Sequence, residues 1–282
     1  MPVKTDSPRN VLPAFTWGLA VILYCPVFYE LYRMRWKTID YSHAYFILPV
    51  SLWLVWRKRV QISELARSPV VVNNPVGLWL LLTGIALFIV GWRNDYLMVS
   101  TLSLIPVLLG MLVYLYGKAM ARLLWFPVAY LLLLVPPPLG ILDSITLPMR
   151  YGISVATAVA LRSFHYPIYR HGLILSIDNS EIFMGQPCSG FRSLIAMISL
   201  GVVYVYLSHA SFRKKIILAL SVIPLALAGN FLRVTGMCLG TYYFGKDIGE
   251  KVHDVGGFVV FMLLILGMLA IEKMMDGAPD EN

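Results

Sequence analysis

VGLWLLLTGIALFIVGW, Val76 to Trp92, carries no charged side chain along its whole length. Wound as an α-helix at 1.5 Å per residue it covers about 25 Å, close to the thickness of a bilayer's hydrocarbon core. Comparable apolar runs lie at about 11–29, 43–56, 97–117, 123–139, 189–208, 216–232 and 255–273. The chain therefore reads as all-α, a polytopic membrane protein with about eight transmembrane helices. The 43–56 run is short, and Trp53 and Trp56 at its end fit an interfacial aromatic anchor.

Composition supports this reading. Of 282 residues, 59% are hydrophobic and 13% charged, with a mean hydropathy of +0.73. A soluble domain carries roughly 25% charged residues. No hydrophilic stretch is long enough for a soluble domain, so residues 1–282 read as a single integral membrane domain. The net charge of +8 does not point to nucleic acid. Its basic residues cluster in short loops: Arg57-Lys58-Arg59 with Arg67, Lys118 with Arg122, and Arg213-Lys214-Lys215. That is the pattern of cytoplasmic loops. Three cysteines, Cys25, Cys188 and Cys238, provide neither a disulfide framework nor zinc-ligand spacing. The first apolar run lacks a small-residue cleavage site and reads as a retained span.

With those basic loops inside, residues 30–42 fall outside, although Arg33, Arg35 and Lys37 run against the rule. Between 140 and 162, Asp143, Thr146, Arg150, Ser154 and Thr157 follow at steps of three or four and share one helix face. Such a polar stripe either lies in the interface or lines a polar cavity. We place it as an amphipathic helix at the outer interface, because residues 163–187 are too polar to cross back. Pro136-Pro137-Pro138 ends the span before it. In residues 165–187 the alternation of Leu173, Leu175 and Ile177 admits a short hairpin around Asp178-Asn179.

This topology brings three chemically able groups to the outer side. Cys188 stands at the start of the 189–208 run, Arg233 ends the 216–232 run, and His253 closes an outer loop, Lys246–Asp254. Ionisable groups at hydrocarbon are costly and mark function by default. A free thiol with a pKa of about 8.5 is mostly protonated at neutral pH, so a nucleophilic cysteine needs a cation or base beside it. The helix start favours the thiolate, Arg233 supplies positive charge for a thiolate or an oxyanion, and His253 supplies a general base. Ser189, Arg192, Asn230, Asp254, His43 and Arg150 are further polar candidates for substrate binding or support. Each residue also has a plainer reading: a packed cysteine, a snorkelling arginine, a loop histidine. Gly256-Gly257 reads as a place of close helix packing. The histidines show no metal-binding spacing, and no phosphate-binding glycine loop is present. A transporter or flippase would use Arg233 and the 143–157 stripe as a pathway, but the paired inverted repeats of that class are not evident.

The runs Cys188-Ser189-Gly190-Phe191-Arg192-Ser193-Leu194, Asn230-Phe231-Leu232-Arg233-Val234 and His253-Asp254 with Gly256-Gly257 resemble the exosortase/archaeosortase family. Asp40-Tyr41-Ser42-His43 and Phe126-Pro127 leading to Pro136-Pro137-Pro138 are similar too, so the resemblance spans about residues 35–270. It implies a membrane-embedded cysteine transpeptidase that needs no cofactor or metal, with Cys188 as nucleophile, Arg233 as stabilising cation and His253 as base. Histidine at the third position implies a bacterial-type exosortase in the inner membrane, its site facing the periplasm. The implied partners are exported proteins with a carboxy-terminal signal of short motif, transmembrane helix and basic tail. The motif is Pro-Glu-Pro in the best-known case. The implied acceptor is a lipid or polysaccharide, and many bacterial relatives are tied to exopolysaccharide loci. Cleavage with water as acceptor is the alternative.

Overall fold

The computed structural model describes residues 11–36, 44–67, 74–136, 141–178, 180–184, 191–208 and 210–276. They fall into two compact units, Met1–Pro138 and Leu139–Asn282.

The first unit holds α1 (Val11–Leu31), which passes into a π-helical turn (Tyr32–Trp36), then α2 (Ala44–Arg57), α3 (Arg59–Arg67), α4 (Pro75–Arg93), α5 (Leu97–Leu102) and α6 (Leu104–Tyr130). α4 starts where Asn74 Oδ1 accepts from the Val76 N–H at 3.0 Å, with Pro75 in the first helical position. Its polypeptide then returns antiparallel along α5 and α6. Gly77, Gly84 and Gly91, seven residues apart, form the seam. A Cβ on each would come within 2.5–2.7 Å of the backbone nitrogens of Tyr114, Val107 and Ser100 in turn. Small residues at helical spacing let the two backbones touch, which matters in a lipid environment that gives no hydrophobic drive between helices.

Proline inside a helix frees the carbonyl four residues back. Pro127 in α6 frees that of Leu123, and Lys58 Nζ donates to it at 2.6 Å, while Ser51 Oγ donates to Pro127's own carbonyl at 2.8 Å. So the joint of α2 and α3 is pinned to the kinked part of α6.

The second unit holds α7 (Ile141–Ser163), strands β1 (Ile168–His171), β2 (Ile174–Ile177) and β3 (Ser180–Phe183), then α8 (Phe191–Leu207), α9 (Phe212–Phe244) and α10 (Lys246–Asp276). The strands form an antiparallel sheet in the order β1-β2-β3, with Ile168 opposite Ile177 and Leu175 opposite Ile182. Asp178, at φ 52°, turns the second hairpin where the alternation places it. One sheet face, Ile168, Leu175, Ile177 and Ile182, packs with Ile153, Ala158 and Leu161 of α7 and Val234, Met237 and Cys238 of α9. A second core joins Met197 of α8, Leu218, Val222 and Ala226 of α9, and Val260, Leu264 and Met268 of α10. Gly245, at φ 85°, supplies the single-residue turn between α9 and α10.

Five described stretches are long and apolar enough to cross a membrane: Pro13–Trp36, Pro75–Arg93, Leu97–Leu134, Phe212–Phe244 and Lys246–Met275. Ala44–Arg57 and Ile195–Leu207 are shorter apolar helices. The chain is thus an all-α polytopic membrane protein with one small sheet. α6 is interrupted at Gly117 (φ 83°, ψ 173°), which separates residues 104–116 from 118–130, so the chain breaks where the runs expected at 97–117 and 123–139 divide. Lys118 and Arg122, where hydropathy falls, are exposed on the helical turns just after that break. The outer loop expected at Lys246–Asp254 is helix: α10 begins at Lys246, and its polar residues form its first turns. Hydropathy reports what surrounds a segment, and a helix that projects past the hydrocarbon keeps its backbone bonds with polar side chains.

The seam predicts that Gly84→Val lowers stability in detergent by about 1–3 kcal/mol, by overpacking. Gly18, with nothing within 4 Å of a Cβ, should accept valine without loss. Equal thermal midpoints for the two variants would contradict the seam. Lys58→Met strands the Leu123 carbonyl and should also destabilise, by about 1–3 kcal/mol, read in the same thermal scan.

Candidate functional site

α7 brings its polar stripe inward. Thr146, Arg150, Ser154 and Thr157 are all buried, while Leu147, Tyr151 and Val159 are exposed. The stripe thus faces the interior of the second unit. Arg150 donates to its own helix, from Nε to the Thr146 carbonyl at 3.4 Å and from Nη2 to Thr146 Oγ1 at 3.3 Å. Ser154 Oγ donates to the Tyr151 carbonyl at 2.8 Å.

α9 and α10 supply the centre. Arg233 does not end α9, as the apolar run suggested. Eleven more helical residues, Val234–Phe244, follow it. The Gly245 turn folds α10 back antiparallel, and Gly240 meets Gly249 so closely that a Cβ on Gly240 would lie 3.3 Å from the Gly249 Cα. In this register Arg233 crosses α10 at Gly256 and Gly257. A Cβ on Gly256 would stand 3.2 Å from Arg233 Cγ, and one on Gly257 would stand 3.8 Å from Cζ. The glycine pair is therefore a seat for the arginine stem, a more specific use than close helix packing. Helix carbonyls point toward the C-terminus, so the His253 carbonyl projects toward that seat. Arg233 Nε donates to it at 2.7 Å, and Nη2 stands 3.4 Å from His253 Nδ1. His253 is buried, on the third turn of α10.

Asn230 lies one turn before Arg233, 3% exposed. Its Oδ1 and Nδ2 are both buried, with no hydrogen-bond partner among the described residues. The Thr157 Oγ1 is in the same state. Two registers put these groups at one level. Tyr166, just past α7, meets Tyr243 near the end of α9 hydroxyl to hydroxyl at 2.8 Å. Ile153, Ala158 and Leu161 of α7 also share a core with Val234, Met237 and Cys238 of α9, which brings the Ser154–Thr157 turn to the part of α9 that follows Asn230. α8 runs antiparallel to α9, and a Cβ on Gly201 would meet Val222 Cγ2 at 2.5 Å. Eight residues back along α8 and eight forward along α9, the first turn of α8 comes level with Asn230. The second unit thus holds a polar layer built from α7, α9 and α10 beside the start of α8.

Of the sequence candidates, Arg233, His253, Asn230 and Arg150 are described, and Arg233 and His253 touch. Cys188, Ser189 and His43 lie outside the described residues, as do the side chains of Arg192 and Asp254. In sequence, Cys188 precedes Phe191, the first described residue of α8, by three positions. Among the described residues no cluster of three or more histidine, cysteine or acidic side chains has the arrangement of a metal site. Sequence reasoning singled out the α7 stripe but did not bring it to Arg233; the glycine pair after His253 was the available signal for the arginine's seat.

The pair predicts a coupling. Gly256→Val should destabilise the protein while Arg233 is present and be nearly neutral once Arg233→Ala has removed the stem. The double-mutant cycle should give an interaction of about 0.5–3 kcal/mol in thermal unfolding; additive effects would mean that the two do not touch.

Compared with known proteins, the chain matches the family model described as transmembrane exosortase over residues 36–270. No curated protein and no solved structure gives a match.

Proposed function

The chain belongs to the transmembrane exosortase family, and from that we propose that it is a cysteine transpeptidase of the bacterial inner membrane. It cleaves the carboxy-terminal sorting signal of exported proteins on the periplasmic side and passes them to an acceptor. The observation that carries the reading is the clasp of Arg233 on His253, 2.7 Å to the carbonyl and 3.4 Å to the ring, in a polar layer level with the start of α8. A half-buried cation held against a buried imidazole is an expensive arrangement for packing alone, and the thiol of Cys188 stands just ahead of α8 in sequence.

In this reading the Cys188 thiol gives its proton to His253, and the sulfur attacks the carbonyl carbon of the scissile peptide bond. The oxygen that becomes negative is stabilised by Arg233. Collapse breaks the carbon–nitrogen bond, His253 returns the proton to the leaving amine, and a thioester to Cys188 remains. An acceptor nucleophile, a lipid or polysaccharide hydroxyl or amine, then displaces the sulfur. Ser189, Arg192, Asp254, His43 and Arg150 are proposed as supporting groups for substrate binding. The substrate's signal is proposed as motif, transmembrane helix and basic tail.

Cys188→Ala should abolish processing of exported proteins while leaving membrane insertion intact, and Cys25→Ala and Cys238→Ala should retain it. Arg233→Ala should slow processing by about 10²–10³-fold, the loss seen when an oxyanion donor is removed. Arg233→Lys keeps charge without the planar fork and should fall between. Immunoblots of processed and unprocessed substrate measure all five. Continued processing by Cys188→Ala would end the thiol mechanism. Mass spectrometry of the mature carboxy terminus decides between transfer and hydrolysis, since a free carboxylate means that water was the acceptor.

A further inference from the structure

Among the described residues Asn230 is the side chain with both a buried donor and a buried acceptor left without a hydrogen-bond partner. It is 3% exposed, and neither its amide nitrogen nor its amide oxygen meets a partner among the described residues. Leaving both unmet is unfavourable by about 1–3 kcal/mol for each group. In a helix surrounded by hydrocarbon, water does not relieve that from outside. Local escape is absent too. Serines and threonines in helices commonly bond the carbonyl three or four residues back, as Ser154, Ser199 and Thr241 do here. Asn230 makes no such bond.

The pair of atoms defines what satisfies them. A carboxylate or phosphate accepts from Nδ2 and leaves Oδ1 bare, and a cation does the reverse. A group carrying an acceptor and a donor side by side meets both at once, and a polypeptide in extended form presents such a pair, the C=O and N–H of one residue, at every second position. Position agrees with this. Asn230 and Arg233 are neighbours on α9, three residues apart and about 5–6 Å between Cβ atoms. The first turn of α8 is level with them.

We infer that Asn230 binds the backbone of the substrate, its carboxamide pairing with the N–H and C=O of one residue beside the bond that is cleaved. This rests on the proposed thiol reaction and adds to it a subsite that reads main chain and is blind to side chain. Arg233 then meets the reacting carbonyl one helical turn further on. Held at Asn230, the substrate cannot slide along its own axis, so the same carbonyl is presented each time.

The test begins with the exported proteins that mature in cells carrying the wild-type protein but not Cys188→Ala; one of them, co-expressed, is the probe. Asn230→Leu replaces the orphaned carboxamide with an apolar group of similar size. The expected result is a thermal midpoint in detergent equal to or above wild type, with processing slowed at least about tenfold per folded molecule. Asn230→Asp keeps an acceptor but loses the donor, and should be slowed as well. A lowered midpoint for Asn230→Leu with processing in proportion to folded protein would make Asn230 structural and overturn the inference. Wild-type processing by Asn230→Asp would overturn it equally, including where Asn230→Leu does not fold. These outcomes leave the thiol reaction standing. If no exported protein depends on Cys188, both the reaction and the subsite fall together.

Discussion

Hydrocarbon offers a helix no hydrogen bonds, so each polar group that a span carries must find its partner inside the protein. Much of this structure follows from that constraint. The carbonyl that Pro127 frees is taken by Lys58. The hydroxyl of Tyr24 on α1 pairs with that of Ser103 before α6 at 2.7 Å, and Trp17 Nε1 donates to the Tyr116 hydroxyl at 3.3 Å. In the second unit the Glu272 carboxylate of α10 accepts from Tyr204 and Ser208 of α8. Arg162 Nε, at the end of α7, donates to the Ile168 carbonyl on the outer edge of the sheet at 3.0 Å. Such bonds set helix against helix, because the surroundings reward apolar contact with lipid and with protein about equally.

Close backbone approach is the second means of holding the bundle. α4 and α6 meet across Gly77, Gly84 and Gly91, and α9 and α10 across Gly240 and Gly249. In the second pair the same small residues have a chemical consequence. Gly256 and Gly257 leave a trough on α10, and the Arg233 stem lies in it with its guanidinium delivered to His253. A helix pair joined by one residue, Gly245, has little freedom to change that register. The clasp is therefore a property of the hairpin, and it is rigid where a loop-borne histidine would not be.

Against this economy the exceptions stand out. Asn230 and Thr157 keep buried polar atoms unmet on two helices at one level of the second unit. The layer they share with Arg233 and His253 is where the exosortase reading needs polar chemistry.

The chain by itself determined its membrane class, because long uncharged runs have few other solutions, and it determined which residues were chemically out of place: Arg233 and His253 near apolar runs, and a polar stripe from Thr146 to Thr157. Period two in Leu173, Leu175 and Ile177 was enough to see a hairpin turning at Asp178. Hydropathy misjudged one end, since Lys246–Asp254 is polar yet helical, whereas the fall at Lys118–Arg122 follows the break in α6 at Gly117. Tertiary structure alone decided that the α7 stripe faces inward, that Arg233 sits within α9 and rests on Gly256 and Gly257, and that its guanidinium reaches His253 twenty positions away. The physical reason is that composition reports the average surroundings of a segment, whereas the partner of a buried polar group is chosen by helix register, and register is set by contacts between residues distant in sequence.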